Sequence, residues 1–196
     1  MLLIAGLGNF GIQYEGTRHN MGFEVVDILA SDLDLDISKN GFQGIYAKGE
    51  AYMEQLIILK PLTYMNLSGN SVVPLMRYYK IPVENLIVVC DDMALKPGEF
   101  RPRSKGSSGG QKGLQNIIDM LGTQEFKRIR IGTGEPPRKS MTVDYVLGRP
   151  SKTDRELIDK AQDEAVKFLH ITIKDGYQRA LDAMSKGLII ADSTDR

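Results

Sequence analysis

Leu2-Leu-Ile-Ala5, Gly6-Leu-Gly-Asn-Phe-Gly11 and, beyond residues 12–20, Met21-Gly-Phe-Glu-Val-Val-Asp-Ile-Leu29 are three consecutive passages of different texture. The first is a short apolar run of the kind that forms a buried strand. The second is a glycine-rich exit from that strand. The third spaces its apolar residues as one face of a helix. Outward from this unit the pattern repeats. Short β-branched or apolar runs recur at Gln55 to Leu59, Leu86 to Cys90, Arg128 to Ile131 and Val143 to Leu147, and each reads as a strand. Helical spacing recurs at Ser68 to Tyr79, Gly110 to Leu121 and Asp154 to Met184, the last broken near Asp175-Gly176. Strands alternating with helices predict an α/β protein with a mixed, mainly parallel, twisted sheet flanked by helices. In such sheets, function gathers in the loops beyond the carboxyl ends of the strands.

Gly6 to Gly11 also matches GxGxxG, the dinucleotide-binding turn, and an acidic residue follows at a suitable distance within Leu33-Asp-Leu-Asp-Leu-Asp36. In that turn, however, the helix begins inside the glycine motif, so that its N-terminus meets the pyrophosphate. Here Ile12 to Arg18 intervene and the helix is expected to begin only near Asn20 or Met21. The glycines are better read as shaping a tight strand exit.

The chain has 196 residues, 42% hydrophobic and 26% charged, enough for one core burying roughly 70% of the unfolded surface. No linker, repeat or low-complexity tract interrupts it. Residues 1–196 are therefore expected to form one domain, with only the last few residues disordered. Cys90 is the single cysteine, and the start Met1-Leu-Leu-Ile-Ala-Gly6 lacks a basic region and a long apolar run. A cytoplasmic protein without membrane contact is expected. His19 and His170 are the only histidines, and no CxxC or HExxH occurs. That is too few ligands for a zinc site, so neither metal nor cofactor is expected.

Twenty-five basic residues balance twenty-five acidic ones, which argues against a general polyanion binder. The charge is unevenly distributed. From Lys96 to Lys139 there are ten basic residues (Lys96, Arg101, Arg103, Lys105, Lys112, Lys127, Arg128, Arg130, Arg138, Lys139) against four acidic ones (Glu99, Asp119, Glu125, Glu135). A solvated face and a phosphate-binding patch both fit this excess.

Groups suited to hydrolysis fall after successive strands: Asn9, Tyr14, Arg18, His19 and Asn20, then Pro61-Leu-Thr-Tyr-Met-Asn-Leu-Ser-Gly69, then Asp91-Asp92, then Gly106-Ser-Ser-Gly-Gly-Gln-Lys-Gly113. A neutral imidazole accepts a proton from water near pH 7, and a buried carboxylate beside it fixes its tautomer. His19 and Asp91 suit those two roles. Ser68 sits in no nucleophile-elbow motif and Cys90 lies in an apolar run. Direct attack by water is the simpler mechanism.

Gly6-Leu-Gly-Asn9, Tyr14, Thr17-Arg-His-Asn-Met-Gly-Phe23, Lys60-Pro-Leu-Thr-Tyr-Met-Asn-Leu-Ser-Gly69, Asp91-Asp92, Gly106-Ser-Ser-Gly-Gly110 and Arg130-Ile-Gly132 occur in the order seen in bacterial peptidyl-tRNA hydrolases. The chain resembles that family over nearly its full length. The resemblance implies a monomeric α/β enzyme, without metal, that cleaves the ester between a peptide and the 3′-terminal ribose of tRNA and so recycles tRNA from dropped peptides. It implies His19 as the base that activates water, Asp91 as its support, and Asn9 as the group that helps distinguish a blocked amino group from a free one. It further implies Tyr14, Tyr64, Met65 and Asn66 as contacts to the peptidyl-tRNA end, reached through the acceptor stem and CCA end. Arg101, Arg103, Lys105, Arg128, Arg130 and Lys139 correspond to the family's tRNA-binding face. Such contacts position a nucleic acid without reading its sequence.

Three positions depart from the family pattern. Phe10 replaces a usual proline, which is expected to loosen the loop presenting Asn9. Ala94 replaces a common acidic residue after the aspartate pair, with the loss of a turn or capping interaction expected. Gln111-Lys112 replaces a usual His-Asn pair. Lysine donates but cannot accept a hydrogen bond, so Lys112 is a substrate contact only through its charge, toward a phosphate of the CCA end. These changes also admit a non-catalytic RNA-binding relative as a second reading.

Overall fold

Four of the five apolar runs read as strands form the centre of one seven-stranded sheet, and the fifth is a helix. The computed structural model describes residues 1–191, so the expected disorder of the last few residues lies outside the described residues. The strands are β1 (Leu2–Gly6), β2 (Lys39–Gly41), β3 (Gly44–Ala51), β4 (Glu54–Pro61), β5 (Leu86–Asp92), β6 (Phe100–Arg103) and β7 (Lys127–Gly132). The helices are α1 (Met21–Asp32), α2 (Gly69–Tyr78), α3 (Lys112–Leu121), α4 (Thr142–Val146), α5 (Lys152–Asp175) and α6 (Tyr177–Ser185). The sheet runs β2-β3-β4-β1-β5-β7-β6. Its four central strands are parallel, while β2 and β3 at one edge and β6 at the other are antiparallel to their neighbours. This is the mixed, mainly parallel α/β sheet expected.

Two apolar layers hold it. On one face α1, α5 and α6 pack Val25, Leu29, Phe168 and Leu169 against Ile4, Ile58 and Ile129. On the other, α2 and α3 pack Val72, Leu75, Leu114 and Ile117 against Leu3, Ile57 and Val88. Alternate residues of β1 thus serve opposite layers, as the period of a strand requires. Each fully buried Leu or Ile contributes about 2 kcal/mol. The break expected near Asp175-Gly176 falls at Gly176, whose φ of 93° ends α5.

The glycines after β1 serve packing. A Cβ on Gly6 would stand 2.2 Å from Gly22 O, and one on Gly22 would stand 2.3 Å from Val89 O. Their absence lets α1 lie directly on β1 and β5. α1 starts at Met21, ten residues after Gly11, so the helix does not begin inside the glycine motif, and its first turn meets Gly6 through Gly22 in close packing. The dinucleotide reading therefore loses its physical basis.

Val143 to Leu147 is the misread run. Its β-branched and aromatic residues favour a strand locally, but it forms the single-turn helix α4. Val143, Val146 and Leu147 share i, i+3, i+4 spacing, and all three line the cleft described below. Tyr145 ties the turn down by donating its hydroxyl to Thr133 O at 2.8 Å. Arg18 completes the tether, with its guanidinium 3.9 Å from the Tyr145 ring centroid and its Nη1 donating to Arg149 O at 3.0 Å. The helices α5 and α6 pack on the sheet, and none of their residues line the cleft.

Candidate active site

The carboxyl ends of β1, β4 and β5 open into one cleft of about 870 Å³. Asn9, Tyr14 and His19 reach it from the segment after β1, Tyr64, Met65 and Asn66 from the turn after β4, and Asp91 from the end of β5. Gln111 and Lys112 reach it from the start of α3. Every residue expected to be catalytic or to contact the peptidyl end is thereby brought together.

The floor is closed by hydrogen bonds. His19 Nδ1 lies 2.8 Å from Asp91 Oδ2, with the Asp91 side chain 3% exposed and the imidazole 13% exposed. An ionised carboxylate only accepts, so Nδ1 carries the proton and Nε2 is left as the basic atom. Nε2 has no partner among the described residues. Asn9 is bracketed on three sides. Its N–H donates to Asn20 Oδ1 at 2.8 Å, its carbonyl accepts from Asn20 Nδ2 at 2.9 Å, and its Oδ1 accepts from Met65 N–H at 2.8 Å. The last contact fixes the amide's orientation, leaving Nδ2 as a free donor at the cleft.

The departures from the family pattern have local answers. Phe10 stacks on Tyr64 with centroids 5.3 Å apart, and the Asn20 bracket restrains the backbone of Asn9 beside it. The expected loosening is therefore countered by two other contacts. Ala94 N–H is taken by Asp92 Oδ1 at 2.9 Å, so the turn after β5 is capped without an acidic residue at 94. Gln111 donates Nε2 to Asp91 Oδ1 at 3.0 Å. That contact was invisible in the sequence, since the two residues are joined only by the fold. Cys90, immediately before Asp91, is fully buried, and burial pushes its thiol well above the usual range, with the Asp91 charge adding to it. It is a core residue.

The glycine-rich segment follows a different path from the one expected. It does not leave the carboxyl end of a parallel strand. It follows the antiparallel β6, whose last residue Arg103 pairs with Arg128 near the start of β7, and climbs beside β7 to reach the cleft at Gly109. Arg128 and Arg130 hold it there. Arg128 is completely buried, and its guanidinium donates to Phe126 O, Gln124 O, Gly106 O and Ser107 O. Arg130 donates to Ser107 O at 2.7 Å and to Asp92 Oδ2 at 3.2 Å. Arg128, expected to bind phosphate, has its donors engaged by backbone carbonyls. Burial also pulls its pKa below the ordinary arginine value, with Arg130 adding to the effect. Arg130 is largely committed as well. Arg101, Arg103 and Lys105 are exposed, outside the cleft, while Lys139 stands on its rim.

Among the described residues no group of three His, Cys, Asp or Glu is placed to hold a metal, and no helix is long and apolar enough to cross a membrane. What the arrangement offers is a hydrogen-bonded imidazole with its basic nitrogen in a cleft, beside a fixed amide donor.

Comparison with known proteins agrees with the geometry. The family model described as peptidyl-tRNA hydrolase matches residues 3–190. A peptidyl-tRNA hydrolase of Clostridium botulinum is 46% identical over 182 residues, 93% of this chain and 95% of the relative. One of Clostridium novyi is 44% identical over 93% of this chain and 96% of its own. The crystal structure of the peptidyl-tRNA hydrolase from Acinetobacter baumannii superposes with a TM-score of 0.88 at 35% identity, covering 93% of each chain. Sequence and fold coincide along nearly the whole length, and the chain belongs to the peptidyl-tRNA hydrolase family.

Proposed function

We propose that the protein hydrolyses the ester joining a peptide, or an N-blocked aminoacyl group, to the 3′-terminal ribose of tRNA, returning tRNA from drop-off products. The observation that carries this reading is the His19–Asp91 pair on the floor of a cleft roomy enough for a peptide end and a terminal nucleotide. His19 Nε2 takes a proton from water as the water oxygen bonds to the ester carbonyl carbon. Asp91 stabilises the imidazolium that results. The tetrahedral intermediate then expels the ribose oxygen, and the imidazolium returns the proton to it. An alkoxide leaves more readily than an amide nitrogen, so a base and a few oriented donors suffice.

Asn9 Nδ2 is the donor best placed for a carbonyl of the blocked amino group. A free ammonium offers no such acceptor, which gives the discrimination a physical basis. Asn66, exposed and without a side-chain partner among the described residues, holds a second peptide carbonyl or the attacking water. Tyr14, Tyr64 and Met65 line the peptidyl end. Lys112 and Lys139 meet phosphates of the CCA end, and Arg101, Arg103 and Lys105 those of the acceptor stem. On this reading the protein is a metal-independent cytoplasmic monomer.

The test is release of N-acetyl-aminoacyl groups from tRNA by wild type and His19→Ala, with unblocked aminoacyl-tRNA and a chelator as controls. Chelator-resistant cleavage that falls about 10³-fold in the variant and spares the unblocked substrate is the expected result. A wild type that binds tRNA and leaves the ester intact would make the protein a binding scaffold instead.

A further inference from the structure

Gln111 stands at a junction that the reaction just described does not use. Both ends of its amide are committed. Oε1 accepts the Leu114 N–H at 2.8 Å, capping α3. A backbone N–H can only donate, so this contact fixes which end of the amide is oxygen. The other end, Nε2, is therefore a donor, and it lies 3.0 Å from Asp91 Oδ1 and 3.0 Å from Met65 Sδ. The Asp91 carboxylate is thus divided, with one oxygen held by an amide that never titrates and the other 2.8 Å from His19 Nδ1. The packing leaves Gln111 little choice of position. A Cβ on Gly113 would stand 3.0 Å from Gln111 Oε1 and 2.7 Å from Met65 Sδ, so a glycine there is what lets the two side chains settle.

We infer that Gln111 is a positioning residue: its amide N–H pins one oxygen of Asp91, so that the other stays aimed at His19 Nδ1 and His19 Nε2 stays the basic atom in the cleft. The inference rests on the hydrolase reading above. It also gives the first residue of the Gln111-Lys112 departure a role of its own, tying the start of α3 to the imidazole–carboxylate pair.

The rival account is a plain helix cap, and Gln111→Glu separates the two. Glutamate keeps the acceptor for Leu114 N–H and the length of the side chain, but presents a second carboxylate oxygen to Asp91 in place of a donor. Positioning predicts that kcat on N-acetyl-aminoacyl-tRNA falls about tenfold, the size of a lost charge-assisted hydrogen bond, while KM stays within about twofold. The acid limb of the kcat profile should move to higher pH, because added negative charge beside Asp91 favours the imidazolium. Gln111→Met loses both contacts while keeping the volume, and should lower kcat similarly together with Tm.

The sequence holds only two histidines, so the His19 ring is readily followed by nitrogen-resolved NMR without any substrate. Wild type should show one Nδ1–H tautomer, and Gln111→Glu should lose that single signature. Wild-type kcat, pH limb and tautomer in Gln111→Glu would reduce Gln111 to a cap and overturn the inference. A wild type that cleaves no ester, yet loses the tautomer signature on substitution, would overturn the hydrolase reading and retain the positioning role.

Discussion

The floor of the cleft and the basic groups around it are built from the same kinds of side chain, and differ in who uses their hydrogen bonds. On the floor, His19, Asp91, Asn9 and Gln111 are joined to one another or to backbone through contacts of 2.8 to 3.0 Å. At the rim, Asn66, Lys112 and Lys139 are exposed and make no side-chain hydrogen bond among the described residues. The β6–β7 ladder repeats the contrast with a single residue type. Arg101 and Arg103 pair directly with Arg130 and Arg128, yet the β7 arginines are spent on the protein's own carbonyls and carboxylate while the β6 arginines are exposed. Groups that are closed by the protein set geometry, and their loss should appear in kcat or in stability. Groups left open set affinity, and their loss should appear in KM.

Asp91→Asn is the sharpest way to break the comparison. The asparagine amide must turn its NH2 toward either Gln111 Nε2 or His19 Nδ1, setting donor against donor. The imidazole escapes by moving its proton to Nε2, which removes the base. A fall in kcat of about 10³-fold is expected, with KM and folding nearly unchanged. An effect confined to KM would show that the floor binds substrate and does not set the geometry of the base.

Arg128→Met ranks next and reads out differently. Methionine fills part of the volume but strands four backbone carbonyls around a buried side chain. A loss of about 3 kcal/mol is expected, equivalent to a Tm lowered by about 10 °C. Affinity for tRNA, measured where the variant is folded, should change less than about twofold. A large affinity loss at unchanged Tm would return Arg128 to the phosphate-binding set.

The same distinction explains how far the sequence could be read. Wherever a residue's neighbours along the chain decide its environment, the sequence was legible: the four central strands, α1 to α3, and the Gly176 break follow from local period and turn chemistry. The edge strands β2, β3 and β6 were missed. Lys39–Gly41 and Phe100–Arg103 are short and polar, and β3 (GIYAKGEA) alternates weakly, so their pairing is decided by the neighbouring strand. Val143 to Leu147 reads as a strand because its composition outweighs its i, i+3, i+4 spacing. Among site residues, the cleft set was legible as strand-end polar groups within distinctive motifs. The status of each arginine was not. Arg103 and Arg128 look alike in the chain, and only the path of residues 104–111 across β7 separates them.

The smallest expected effect tests the open side of the comparison. Arg103 is exposed, and among the described residues Lys105 is held only by Glu125, at 3.5 Å across a solvent-exposed gap, a pairing that salt screens and that contributes little. Lys105 is thus free to exchange a weak partner for a phosphate, and Arg103 is open to one directly. Each phosphate neutralised releases condensed counterions, so the dependence of log KM on log salt should flatten by about one for each charge removed. Arg103→Gln combined with Lys105→Gln should therefore raise KM for N-acetyl-aminoacyl-tRNA severalfold at low salt and progressively less as salt rises. The same pair of substitutions should leave hydrolysis of an N-acetyl-aminoacyl ester of adenosine untouched, since that substrate has no acceptor stem for the β6 side to hold. Equal effects on the two substrates would mean that these charges act on the cleft itself, and the division between a closed floor and an open basic surround would fail where it is most exposed to test.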